Sequence, residues 1–120
     1  MTHHEFARAR TIHLIGIGGS GMSGLALILK HTGRTVTGSD RDDTATLEKL
    51  QAAGISVWRG QSADHISRNV DLVIRSHAIT DDNPEYREAR RRRIPCLTYP
   101  EALGCLMEER RGIAVAGTHG

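Results

Sequence analysis

Gly16, Gly18 and Gly21 stand at the spacing G-x-G-x-x-G, and an acid, Asp40, follows Gly21 by 19 residues. Glycines so placed permit a tight turn, a close approach of backbone to phosphate, and close packing of a helix on a strand. An acid about 20 residues further on is where ribose hydroxyls are accepted. The chemistry this predicts is capture of an anionic nucleotide by free N–H groups at a helix start, where unpaired donors and the positive end of the dipole coincide. Plainer uses compete. The glycines suffice for a bare strand-to-helix turn, and Asp40, with Asp42, Asp43 and Thr44, can cap the next helix.

The elements that must position these residues follow from periodicity. Thr11 to Ile17 is an apolar run without a polar face, the mark of a parallel strand covered on both sides. Met22, Leu25, Ala26, Ile28 and Leu29 recur at helical spacing, so the turn opens into a helix of about three turns, closed by Gly33. Strands are predicted at 34–38, 55–58, 70–75 and 96–98. Helices are predicted at 45–53, from Asn83 as N-cap and Pro84 at N1 to the arginine run, and from about Pro100 to Arg110. Residues 61–69 read as a short helix or loop with His65 on the surface. Residues 1–10 read as a mobile arm. Alternation of strand and helix predicts an α/β domain, a Rossmann-like doubly wound parallel sheet of about five strands with flanking helices. Its strand C-termini share one edge, so Gly16 to Gly21, Ser39 with Asp40, Ser76 with His77, and Thr98 with Tyr99 are expected to converge on a ligand crevice.

Composition narrows the partners. A chain of 120 residues with 38% hydrophobic and 3% aromatic residues builds its core from Ile, Leu, Val and Ala and has little with which to stack on bases. Sixteen basic and fourteen acidic residues leave a net charge of +2, too balanced for a polyanionic partner, so no nucleic acid is expected. The dense run Arg90 to Arg93 reads as the solvated end of a helix, complementing its dipole. Cys96 and Cys105 match no metal or redox spacing. The seven histidines, His3, His4, His13, His31, His65, His77 and His119, show no helix-spaced ligand pair, so no metal is expected. No apolar stretch spans a bilayer and the N-terminus lacks a signal core, so the expectation is a cytoplasmic protein without membrane contact. Gly112 to Gly120, GIAVAGTHG, reads as a strand at 113–116 and a second glycine turn, which suggests the front of a longer protein.

Four segments together resemble the Mur ligase family: IHLIGIGGSGMSGLA at 12–26, TGSD at 37–40, AITDDNPE at 78–85 and IAVAGTHG at 113–120. Within it they are similar to the N-terminal domain of the branch that joins L-alanine to UDP-N-acetylmuramate in peptidoglycan synthesis. The resemblance implies an ATP- and Mg2+-dependent ligase of three domains, in which ATP activates the substrate carboxylate and the alanine amine attacks the acyl phosphate. It implies that residues 11–111 are the Rossmann-like domain that binds the UDP part of the substrate, and that 112–120 begin a central ATP-binding domain. By position, Gly16, Gly18, Gly19, Ser20, Gly21 and Met22 would face the diphosphate, and Ser39 and Asp40 the uridine. Ser76 and His77 stand where many relatives have Ser-Ser, and Tyr99-Pro100-Glu101 where they have Arg-Ala-Glu, with Glu101 kept. Gly117, Thr118, His119 and Gly120 would open a phosphate loop for ATP. These residues alone are expected to bind substrate without catalysing and to need no cofactor. Two other readings stay open: an NAD(P)-binding domain of an oxidoreductase, and a regulatory domain that binds a partner with its crevice empty.

Overall fold

The computed structural model describes residues 2–42 and 45–119. Five parallel strands, β1 (Thr11–Ile15), β2 (Thr35–Asp40), β3 (Ser56–Arg59), β4 (Leu72–Arg75) and β5 (Cys96–Thr98), form one sheet in the order β3-β2-β1-β4-β5. Around it lie α1 (Thr2–Arg8), α2 (Ser20–His31), α3 (Ala45–Ala52), α4 (Pro84–Arg91) and α5 (Tyr99–His119), with a single 3-10 turn at Ala63–His65. The chain steps outward from β1 to β3, then returns past β1 to β4 and β5. Strand order therefore reverses between β1 and β4, the place where doubly wound sheets open a crevice.

Alternation along β1 assigns the two faces. Ile12 and Leu14 join α2 (Met22, Leu25, Ala26, Leu29), α3 (Leu47, Leu50) and α5 (Ala102, Leu106) in the larger core. Ile15 joins Val73 and, from the other layer, Ile66, Tyr86 and Ala89. Toward β2 and β3 that face meets the 3-10 turn and the start of α4, and there β1 presents His13, β2 Thr37 and Ser39, and β3 Trp58 rather than aliphatic side chains.

Three departures from the sequence reading have physical causes. The expected arm is helix α1, pinned because Phe6 is 1% exposed and the buried Arg34 lies 4.6 Å over its ring. Arg34 also donates to the carbonyls of Phe6 and Ala9 and, through both terminal nitrogens, to Glu109 of α5. The expected strand at 113–116 is instead part of α5, since a helix satisfies its backbone groups locally whereas a strand there pairs with none of the described strands. Gly117, Thr118 and His119 accordingly lie in the last turn of α5, while Gly120 falls outside the described residues, as do the expected caps Asp43 and Thr44. Finally, β1 ends at Ile15, because Gly16 turns the chain with φ 84°.

Candidate functional site

At the β1/β4 reversal lies a crevice of about 630 Å³. The turn after β1 supplies Gly16, Gly18 and Gly19, the end of β2 supplies Asp40, Arg41 and Asp42, and Ser76 sits at the end of β4. Gly16 is required twice over. Its φ is positive, and a β carbon would stand 2.7 Å from Ser76 Oγ. Helix α2 then starts without a side-chain cap, its N-cap being Gly19, and has no acid in its first turn. The N–H groups of Ser20, Gly21 and Met22 are thus left for an anion above them.

Asp40 braces this turn. Its Oδ2 accepts the Gly18 N–H at 2.8 Å and its Oδ1 the Asp42 N–H at 3.1 Å, so one carboxylate ties the glycine turn to the loop after β2. Gly18 has the same need for smallness as Gly16, since a β carbon there would lie 2.9 Å from Asp40 Oδ2. Gly21 serves a different contact: the Tyr99 ring comes within 2.7 Å of where its β carbon would be, so this glycine admits α5 against α2.

Several predicted residues lie outside the crevice lining. Met22 is buried, so its contribution is confined to its backbone. Ser39 is fully buried beneath the floor, donating to Glu85 at 2.6 Å. His77 is exposed and does not line the crevice. Glu101 closes a reciprocal cap on α5, its carboxylate accepting the Thr98 N–H at 2.8 Å while its own N–H donates to Thr98 Oγ1 at 3.4 Å. Ser20, Gly21, Thr98 and Tyr99 are likewise absent from the lining, Ser20 and Gly21 following its Gly19.

Sequence reasoning missed the group that supports the floor. Glu85, fully buried in the first turn of α4, accepts four hydrogen bonds: from His13 Nε2 (2.6 Å) and Ser39 Oγ (2.6 Å) on one oxygen, and from His65 Nδ1 (2.6 Å) and the Ser62 N–H (3.1 Å) on the other. The far nitrogen of His13 reaches Thr37 Oγ1 at 2.8 Å, and Trp58 stacks on His65 with ring centres 5.0 Å apart. Burial by itself pushes the Glu85 carboxyl up. The hydrogen bond and charge of His13, with Ser39 and His65, outweigh this and hold it below the ordinary glutamate range. The expected surface position of His65 is thereby corrected: its side chain is 15% exposed and held by Glu85. The one legible hint was His13 inside an otherwise apolar strand.

Glu85 thus fastens β1, β2, the loop after β3 and the 3-10 turn to the start of α4. Three of these carry crevice residues: Asp40 from β2, Gln61 from the loop and Asn83 with Pro84 from the helix start. Asn83 caps α4 as the sequence predicts, Oδ1 accepting from the Glu85 and Tyr86 N–H groups. Ala78, Ile79, Thr80 and Asp82 complete the wall. Burial pushes up both thiols, Cys96 and Cys105, which keeps them protonated and poor nucleophiles. Among the described residues no three His, Cys, Asp or Glu side chains gather as metal ligands, and no helix is long and apolar enough to cross a membrane. The site offers backbone donors for an anion, flanked by polar side chains.

Comparison with known proteins adds relatives to this geometry. The profile of the Mur ligase family, catalytic domain, matches residues 11–111. The chain is 47% identical over 115 residues to the UDP-N-acetylmuramate–L-alanine ligase of Halorhodospira halophila, covering 96% of this chain and 24% of that protein. To the enzyme of the same name from Carboxydothermus hydrogenoformans it is 49% identical over 109 residues, covering 91% of this chain and 24% of that one. The chain thus spans about a quarter of the length of the curated relatives it matches. Among solved structures, UDP-N-acetylmuramate-alanine ligase from Thermotoga maritima superposes with a TM-score of 0.80 at 36% identity, over 82% of this chain and 23% of that one. A shikimate dehydrogenase from Aquifex aeolicus, at 13% identity and a TM-score of 0.55 over 85% of this chain and 50% of its own, shares the fold alone.

Proposed function

This chain belongs to the Mur ligase family, and from that footing we propose that its crevice anchors the uridine diphosphate part of UDP-N-acetylmuramate, for an ATP-dependent ligase that joins L-alanine to that substrate in peptidoglycan synthesis. The observation that carries the reading is the uncapped start of α2 beside Gly16, Gly18 and Gly19, set at the reversal of strand order with Asp40 alongside. In this reading the diphosphate takes the N–H groups of Ser20, Gly21 and Met22. The ribose lies toward Asp40, and the muramoyl group projects out of the crevice.

The crevice does not fit ATP with magnesium. No lysine lines it, and among the described residues no three His, Cys, Asp or Glu side chains are placed to hold a metal ion. We assign it no phosphoryl transfer, and residues 11–111 bind without catalysing.

Calorimetric titration with UDP-N-acetylmuramate, UDP, ATP and NAD side by side tests the reading. Saturable binding of the two uridine compounds alone is expected. Binding of NAD in their place would return the site to the dinucleotide enzymes.

A further inference from the structure

One side chain of the crevice wall has an amide whose sense is dictated by its neighbours. Gln61 Oε1 accepts from Asn83 Nδ2 at 3.0 Å. Asn83 cannot turn over, because its Oδ1 is held by two N–H groups at the start of α4. Turning the Gln61 amide over would set two NH2 groups against each other. Ser39 gives its hydroxyl hydrogen to Glu85 at 2.6 Å, and its oxygen, 3.4 Å from Gln61, is too distant to offset that clash at 3.0 Å. The consequence is that Gln61 Nε2 is buried with its donors unused, and among the described residues it is the one buried side-chain nitrogen or oxygen without a hydrogen bond. Buried donors are rarely left so, and each such group calls for an explanation.

Position along the sheet edge suggests one. The glycine turn follows β1, Asp40 ends β2, and Gln61 lies two residues beyond β3. Neighbouring strands lie about 4.8 Å apart, so β1 to β3 is about 10 Å. That matches the reach of a nucleotide from its diphosphate through the ribose to the base.

We propose that Gln61 is a specificity-determining residue that reads the base of the bound nucleotide, its amide nitrogen donating to a ring carbonyl oxygen. The inference rests on the uridine diphosphate reading given above and adds to it the group that chooses the base. Uracil presents a carbonyl oxygen at C4, where cytosine presents an amino group, itself a donor. Against Gln61 the amino group would leave two donors facing each other, whereas the carbonyl satisfies the one that lacks a partner. Gln61 lines the crevice, so in this proposal rotation of its stem brings the nitrogen to the entering base. The Asn83 and Glu85 contacts fix which end of the amide is offered.

The test is calorimetric titration of the chain and of its Gln61→Leu and Gln61→Glu variants with UDP and with CDP. The unaltered chain is expected to prefer UDP by roughly tenfold or more, as sites built to hydrogen-bond one group reject analogues lacking it. Gln61→Leu should narrow that preference to within about twofold, with melting temperature held or raised because the unpaired donor is gone. Gln61→Glu, which can only accept, should move the preference toward CDP. Gln61→Met keeps the stem and replaces Gln61→Leu if that variant does not fold. Equal affinity of the unaltered chain for UDP and CDP, or a preference that survives intact in Gln61→Leu, would overturn the inference while leaving the diphosphate site standing. Binding of neither nucleotide would bring down the underlying reading and the inference together.

Discussion

At Gly18 a β carbon would stand 2.9 Å from Asp40 Oδ2, the same oxygen that accepts the Gly18 N–H at 2.8 Å. Gly18→Val therefore strikes the turn and its brace together. It should weaken UDP binding tenfold or more in a chain that still folds, and unchanged affinity in a folded variant would remove the glycine turn from the site. Asp40 was readable from its spacing to Gly21, yet its bond to Gly18 was not, since spacing does not say which way a loop folds back. Glu85 makes the same point more strongly. Its partners His13 and His65 lie 72 and 20 residues away, and only the closed sheet brings them together. Because its folded carboxyl titrates below the ordinary value of about 4.3, the unfolded chain takes up that proton first as pH falls. The stabilisation from Glu85 is thus complete above about pH 4.3 and is lost as pH falls through the lower folded value. Urea titrations should show Glu85→Gln less stable than the unaltered chain by about 1–3 kcal/mol at pH 7, with the gap closing below pH 4. A gap independent of pH would mean that the carboxylate charge contributes nothing.

The elements that were legible are those whose signal is local. Strands β1 and β4 appear as apolar runs, the others as short β-branched or apolar stretches between turn residues, and α4 announces itself through Asn83 and Pro84. Its cap is the one drawn from the sequence. Helix α1 was hidden because its seven residues carry only two apolar side chains, Phe6 and Ala7, too few for a period. Tertiary contact decides it instead: Phe6 under the Arg34 guanidinium, and Arg34 across to Glu109. Phe6→Ala should accordingly cost about 3 kcal/mol, measured by chemical unfolding, far more than truncating a residue in a loose arm. A change within 0.5 kcal/mol would restore the arm. The C-terminal segment misled for the opposite reason, because an Ile-Ala-Val-Ala run with flanking glycines suits a strand only where a neighbouring strand exists to pair with it.

For the molecule as a whole, the reversal of strand order between β1 and β4 matters more than any single motif. It gathers the glycine turn, Asp40 and Ser76 at one edge, while Glu85 fastens the two loops that complete the wall. The site is therefore largely formed before ligand arrives. UDP at about 100 times its dissociation constant should raise stability by roughly 2.7 kcal/mol, visible as an upward shift in melting temperature. The most direct test of where it binds is to follow backbone amide chemical shifts while UDP-N-acetylmuramate is added. The largest changes should fall at Gly16 to Met22, Asp40 to Asp42, Gln61 and Ser76 to Asn83, with α1 and the far end of α5 still. Shifts centred on the groove between α1 and α5, or none at saturating ligand, would contradict the assignment of the crevice.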